Sequence, residues 1–326
     1  MTFNAYRLFK DGNVSRGGLV KTTLDKLDPG GLVIKTAYAG VNFKDALAAT
    51  GRAPIIRRFP CIGGIEAVGE VIESASEDYP TGSAVIIHGC GLGVSHDGGF
   101  SEYVRVPADW AVPLPAGLDM REAASLGVAG HTAAIAIDLM ERNGLAPGRG
   151  PVAVTGATGG VASLSINMLS ALGYEVVAVS RKADSHAYLR SLGAQQVISA
   201  PTIDASDELL ASARWAGAVD AAGGHMLAWL LRTMAFNGTI ASFGNAAGAE
   251  LHTSVLPFIL RGVRLLGVNA NTEPDYRRQL WARLANDLKP RHLAAISTSI
   301  TLDELPKVLE QMADGLTTGR YVVRFH

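Results

Sequence analysis

The chain has 326 residues, 48% of them hydrophobic and 18% charged, with a formal net charge of −1. That length exceeds what one core usually fills, since single cores stop growing near about 250–300 residues, and the apolar content excludes a disordered chain. Two globular domains are expected, and the scattered basic residues leave no electrostatic footprint for a nucleic acid.

From Met1 to about Ala116, short β-type runs are broken by glycine: Leu32–Ala37, Ala67–Ser74, Ala84–His88 and Tyr103–Pro107. This pattern predicts an all-β barrel module. Asp28-Pro29-Gly30-Gly31 and Pro80-Thr81-Gly82 are turn chemistry between strands. The first twenty residues carry charges, and no stretch of about 18 apolar residues follows, so neither a secretory leader nor a membrane span is expected. Cys61 and Cys90 are too few for a disulfide scaffold or a structural zinc lobe. They read as small buried hydrophobes in a protein of the reducing cytoplasm.

After Pro113-Leu114-Pro115 the chain turns to an alanine-rich helix, Arg121 to about Glu141, and then to an apolar run, Pro151–Thr155, that fits a strand buried on both faces. Strands at Val152–Thr155, Glu175–Ser180, Val197–Ile198, Ala218–Ala221 and Thr239–Phe243 alternate with helices near Gly160–Leu172 and Ser185–Leu192. That alternation predicts a doubly wound parallel sheet of the Rossmann type. Beyond about Leu260 the pattern is mixed, ending in a strand at Arg320–Phe325. The expected domains are 1–118, 119–262 and a return to the first domain over 263–326.

The strongest chemical signal is the glycine-rich turn Val154-Thr155-Gly156-Ala157-Thr158-Gly159-Gly160-Val161-Ala162 between an apolar strand and a helix. Glycine lets backbone approach a pyrophosphate, and the helix offers free N–H groups and its positive dipole end. Gly156, Thr158, Gly159, Gly160 and Val161 are the candidate cofactor contacts; a tight turn without a ligand is the alternative. The second strand ends in Ser180-Arg181-Lys182, where a cofactor lacking a 2′-phosphate would usually meet an Asp or Glu. A hydroxyl and two cations suit the ribose 2′-phosphate of NADPH, and an exposed basic turn is the plainer reading.

Three stretches carry a family resemblance: Gly40-Val41-Asn42-Phe43-Lys44-Asp45, then His96-Asp97-Gly98-Gly99-Phe100-Ser101-Glu102-Tyr103-Val104-Arg105-Val106-Pro107, and the glycine turn. The sequence resembles the quinone oxidoreductase-like branch of the medium-chain dehydrogenase/reductases, and within it the acrylyl-CoA reductase subgroup. The resemblance implies a GroES-like catalytic domain interrupted by the nucleotide-binding domain, an active site in the cleft between them, and a homodimer. It also implies that Phe43 packs on the nicotinamide, and that Phe243, Gly244, Asn269 and Arg320 approach the cofactor.

In zinc alcohol dehydrogenase relatives a cysteine stands at the position of Asn42, and a histidine precedes the glutamate of a Gly-His-Glu phrase; here the phrase is Gly64-Ile65-Glu66. Two ligands are missing, and His88 and His96 lack a matching third, so no metal is expected. Without a metal, the carbonyl beside a reduced carbon–carbon double bond needs hydrogen-bond donors. Asn42 is the candidate donor, and Asp45 the candidate proton relay or loop orienter. The plainer reading has Asn42 capping backbone groups of its own turn and Asp45 capping a helix that begins near Ala46.

Arg52, Arg57 and Arg58 are candidate contacts for coenzyme A phosphates, or simply a solvated face. Gly63, Val128 and His131 depart from the acrylyl-CoA subgroup, which keeps a quinone or small enone open as the substrate; a cofactor-binding redox sensor without turnover is the non-catalytic alternative.

Overall fold

The computed structural model describes residues 1–12, 14–200 and 208–325. It forms two compact units, Met1–Val128 with Leu293–His326, and Ala129–His292.

The first unit opens with a hairpin of β1 (Thr2–Asp11) and β2 (Val14–Thr23), paired antiparallel from Thr2↔Thr23 to Asp11↔Val14. The strand runs named in the sequence do not include this pair, because β2 carries Gly17-Gly18 and the polar Ser15, Arg16 and Lys21, which weaken a strand signal. Gly17 has a packing reason: a Cβ there would enter the Tyr6 ring. Next come β3 (Leu32–Val41), α1 (Phe43–Ala49), β4 (Cys61–Ile62), β5 (Glu66–Ser74), β6 (Ala84–His88), β7 (Tyr103–Val106) and β8 (Ala111–Pro113). β4 joins the hairpin by pairing with β1. Leu32, Ile34, Ala67, Val71, Val85, Ile87, Val104 and Val106 alternate inward from β3, β5, β6 and β7 to form one core cluster, as a sheet with one packed face requires.

The helix α2 (Met120–Arg142) belongs to the first unit through Val128 and to the second from Ala129. By length and composition it could cross a membrane, yet 89% of its apolar window is buried inside the protein, which makes it a core helix. Gly127 interrupts it, with φ 48° and ψ −148°. Only glycine holds such a conformation readily.

The second unit adds β9 (Val152–Val154), α3 (Gly160–Ala171), β10 (Val176–Ser180), α4 (His186–Ser191), β11 (Gln196–Ser199), β12 (Trp215–Asp220), α5 (Gly224–Thr233), β13 (Met234–Ser242), α6 (Leu256–Arg261), β14 (Arg264–Gly267) and α7 (Pro274–Leu284). Its six strands are parallel in the order β11-β10-β9-β12-β13-β14. Strand order reverses between β9 and β12, and ligands of open α/β sheets bind beyond the strand C-termini at such a point.

The chain returns to the first unit with α8 (Leu293–Ile296), β15 (Ser297–Ile300), α9 (Leu305–Ala313) and β16 (Arg320–Arg324). β16 pairs with β3, so the larger sheet runs β15-β16-β3-β5-β6-β8, with β7 also on β3. The expected return at residue 263 is therefore some thirty residues early. β14 extends the parallel sheet, and α7 is bound to the second half of α2: Tyr276 Oη donates to Asp138 at 2.6 Å, and Arg283 donates to Asp138 and Glu141 at 3.0 Å each. Polar anchoring of an amphipathic segment is nearly silent in a hydrophobicity pattern.

Candidate functional site

In the second unit, β9 leads into the glycine turn and α3 begins at Gly160, with Gly159 as its N-cap. Gly156 takes φ +58°, and a Cβ on it would lie 3.2 Å from that of Ala221. The first amides of a helix have no partner inside it, so while the Gly159 N–H closes the turn onto Gly156 O at 2.9 Å, the backbone from Gly160 onward presents N–H groups at the positive end of the twelve-residue α3. The structure thus brings together Gly156, Thr158, Gly159, Gly160 and Val161 in one turn at the N-terminus of α3. Phe243 and Gly244 follow β13 and lie in the same unit; Gly244 has no room for a Cβ, which would approach the Ala221 carbonyl carbon to 2.7 Å.

At the end of β10 the three polar residues divide. Ser180 is buried, its Oγ accepting the Lys182 N–H at 3.0 Å and facing Ser185 Oγ at 3.0 Å. Its hydroxyl therefore shapes the turn. Arg181 is exposed and Lys182 half-buried. Burial and the adjacent Arg181 charge hold the Lys182 ammonium below its ordinary pKa, with Asp184 pulling the other way. Two cations side by side suit an incoming phosphate. Asn269, exposed after β14, has its Oδ1 engaged by the Asn271 N–H at 3.0 Å.

In the first unit, β3 delivers Asn42 to the start of α1. Asp45 Oδ2 accepts the Asn42 N–H at 2.9 Å, a capping contact, while Oδ1 accepts the Ile65 N–H at 3.1 Å. The Asn42 amide is engaged on both sides: Nδ2 lies 3.1 Å from Glu66 Oε1 and 3.3 Å from Asp45 Oδ2, and Oδ1 accepts from Arg320 Nη1 at 2.9 Å. The expectation that Asn42 donates to a substrate carbonyl meets an amide whose two N–H groups already have acceptors.

Arg320, expected near the cofactor, lies on β16 of the first unit. It is 2% exposed, donates to Val41 O at 2.8 Å and forms a buried ion pair with Glu66. Glu66 Oε2 in turn accepts the Val128 N–H released by the break at Gly127. Any side chain at Gly40 or Gly127 would collide with this pair. Burial pushes the Asp45 carboxyl up to about 7; the Asn42 and Ile65 N–H groups oppose the rise and the Glu66 charge adds to it. Phe43 stands apart at 42% exposure, its ring available to a ligand face.

The His96–Pro107 stretch is structural in its first half. Asp97 accepts the Ile62 N–H at 2.8 Å and the Asp28 N–H at 3.2 Å, and Asp28 accepts the Asp97 N–H at 2.8 Å. The His96 ring nitrogens lie 3.1 Å from Asp97 O and 3.2 Å from Pro29 O. Arg58 pairs with Asp28 and Arg52 with Asp314, so among the three candidate arginines only Arg57 shows no acidic partner within the described residues. His131 is buried on α2, and that burial, with the Arg277 charge, pushes its pKa down to about 3. Glu66, Thr155 and Asp220 organise these loops without a local motif, except that an acid closing an apolar strand before Ala-Ala-Gly-Gly is a readable signal for Asp220.

Residues 28–116 match the family described as alcohol dehydrogenase GroES-like domain, and 160–286 the family described as zinc-binding dehydrogenase. The chain is 43% identical over 309 residues, 94% of each protein, to Bacillus subtilis YhfP, whose name assigns it provisionally to the quinone oxidoreductases. It is 40% identical over 325 residues, 98% of each, to the acrylyl-CoA reductase AcuI of Ruegeria pomeroyi. The crystal structure of the yhdH oxidoreductase of Salmonella enterica in complex with NADP superposes with TM-score 0.96 at 39% identity, covering 99% of this chain and 100% of that one. The B. subtilis yhfP structure with NAD bound gives TM-score 0.96 at 40% identity, covering both chains fully.

The second family description implies zinc, and the donor set here does not fit it. A catalytic zinc takes three protein ligands from Cys, His and carboxylate. Among the described residues no group of three or more His, Cys, Asp or Glu could hold a metal, and the loop carries an amide at Asn42 and a carboxylate already paired to Arg320. A parallel six-stranded sheet, a glycine cradle at its switch point, a barrel unit resumed at the C-terminus and likeness over nearly the whole length lead to one conclusion: the chain belongs to the medium-chain dehydrogenase/reductase superfamily, as an oxidoreductase of the branch that holds these quinone oxidoreductase and acrylyl-CoA reductase relatives.

Proposed function

We propose that the protein is a zinc-independent NADPH-dependent reductase of carbon–carbon double bonds conjugated to a carbonyl, with an acrylyl-CoA-type thioester as its substrate class. The observation that carries this reading is the Gly156–Val161 cradle together with Arg181 and Lys182 at the end of β10, where no carboxylate stands to hold an unphosphorylated ribose. Bound NADPH supplies the hydride, which a polarised alkene accepts at its β-carbon. The chain's own residues bind and orient: the cradle N–H groups take the pyrophosphate, Arg181 and Lys182 the 2′-phosphate, and the exposed Phe43 ring the nicotinamide. Asn42, Asp45, Glu66 and Arg320 fix the loop from which Phe43 projects.

Enoyl thioester reduction is supported by the 40% identity to an acrylyl-CoA reductase, and quinone reduction by the 43% identity to YhfP. Loss of NADPH absorbance with acrylyl-CoA, crotonyl-CoA and a quinone, after exhaustive chelation, separates them. Turnover restored only by added zinc, or silence across the panel with NADPH bound, would overturn the reading. Arg57 is the remaining candidate for a coenzyme A phosphate. Arg57→Ala is expected to raise KM for an acyl-CoA several-fold and leave that for a quinone unchanged, whereas Arg52→Ala, which breaks an exposed ion pair, leaves both near the parent values.

We further infer a homodimer in the cytoplasm. Phe236, Val255, Ile259 and Leu260 are 55–70% exposed in the second unit, and among the described residues β14 is the last strand of the parallel sheet, the combination that a second chain covers. A chain with two cysteines, Cys61 and Cys90, suits a reducing compartment.

A further inference from the structure

The C-terminal ends of β9, β12 and β13 converge on a single carboxylate. Asp220 is fully buried and accepts from Thr155 Oγ1 at 2.7 Å, Ser242 Oγ at 3.0 Å, Ala222 N–H at 3.1 Å and Gly223 N–H at 3.2 Å to both oxygens. Thr155 Oγ1 spends its lone pair on the Ala221 N–H at 3.1 Å, and the Asp220 carbonyl accepts the Phe243 N–H at 3.1 Å. Every contact ends on Ala221 or beside it. Ala221 in turn is wedged between the two glycines that matter: a Cβ on Gly156 would lie 3.2 Å from its Cβ, and one on Gly244 would lie 2.9 Å from its Cα.

A carboxylate that gathers four donors without exposure fixes backbone far more rigidly than a neutral group, because charge-assisted hydrogen bonds are about twice as strong as neutral ones and each orphaned buried donor carries its full desolvation penalty. Ordinary strand packing does not need this: the core below these ends is already filled by Val152, Val154, Ala218 and Ile240. What the carboxylate adds is the height of the Ala221 crest between the phosphate turn and the β13 end.

We infer that Asp220, acting with Thr155 and Ser242, is the positioning residue of the dinucleotide cradle: it sets the spacing of Gly156 and Gly244 across Ala221 and so the fit of the pyrophosphate and nicotinamide half of NADPH. The inference rests on the NADPH reading given above. It assigns no contact between Asp220 and the cofactor; the carboxylate acts through the backbone it holds.

Thr155→Val keeps the shape and removes the hydroxyl, whereas Thr155→Ser keeps the hydroxyl. In fluorescence titrations, Thr155→Val is expected to weaken NADPH binding at least about tenfold, the size of one orphaned buried N–H, and Thr155→Ser to stay within about twofold of the parent. Asp220→Asn is expected to follow Thr155→Val. Adenosine 2′-phosphate, which uses only the Arg181–Lys182 end, is expected to bind all variants equally; a general loosening of the unit would weaken it as well. Unchanged NADPH affinity in folded Thr155→Val, or equal losses for NADPH and adenosine 2′-phosphate, overturns the positioning role alone. A parent protein that binds no dinucleotide overturns the functional reading and this inference with it. Should Asp220→Asn fail to fold, the Val and Ser pair at Thr155 still decides.

Discussion

At the scale of single residues, the polar groups that the sequence offers as chemistry fall into two kinds. Arg181 presents its charge outward and Lys182 is half-buried beside it. Asn42 and Arg320 turn inward onto partners distant in the chain, and Ser180 turns inward onto its own turn. The physical reason is that a short polar side chain at the end of a strand competes for the backbone groups the strand leaves behind. Arg181→Ala with Lys182→Ala is expected to raise KM for NADPH by about tenfold to a hundredfold, as loss of charged hydrogen bonds worth about 1.5–3 kcal/mol implies, while KM for NADH stays level. Equal effects on both cofactors would remove the 2′-phosphate assignment.

At the scale of elements, the break in α2 shows how a helix can carry a polar device. Gly127 leaves the helical region, its successor's N–H is released, and Glu66 takes that N–H while pairing with Arg320. Gly127→Ala meets both a positive φ and a collision with the buried pair. It is expected to destabilise the protein by more than about 1 kcal/mol, read as a lower midpoint in urea; a midpoint equal to the parent's would show that the break is not required. The edge element β14 and the neighbouring α6 carry a different expectation. Ile259→Asp, at an exposed position, should leave folding intact and shift sedimentation from dimer to monomer. A parent that already sediments as a monomer would remove the homodimer.

At the scale of the whole molecule, two buried titratable groups set opposing slopes of stability with pH. Asp45 has an ordinary value of 3.8 and about 7 when folded, so the folded state holds its proton more tightly and stability falls as pH rises through that window. His131 goes from 6.5 to about 3, so the unfolded state binds the proton more tightly and stability is lost as pH falls below 6.5. Between about 4 and 6.5 the two oppose each other. Asp45→Asn leaves His131 unopposed, and Tm should climb more steeply with pH than in the parent. His131→Leu leaves Asp45 unopposed, and the slope should turn downward. Parallel profiles for parent and variants would refute both assignments.

Much of this was legible along the chain, for a physical reason. Period-2 alternation in β3 and β5, apolar runs at β9 and β10, and glycines where backbone must approach a phosphate are local consequences of burial and sterics, so the barrel unit, the parallel sheet and the Gly156–Val161 cradle are written in contiguous residues. The partners of Asn42, Arg320 and Asp220 are not. Arg320 meets Glu66 across 254 positions and Asp220 meets Thr155 across 65, and no local pattern says which of several polar residues a strand end will face. The sequence by itself determined where backbone could bend and which surfaces had to be buried; only the tertiary structure decided which charges would find each other, because pairing a buried polar group depends on geometry that strands distant in the chain build together.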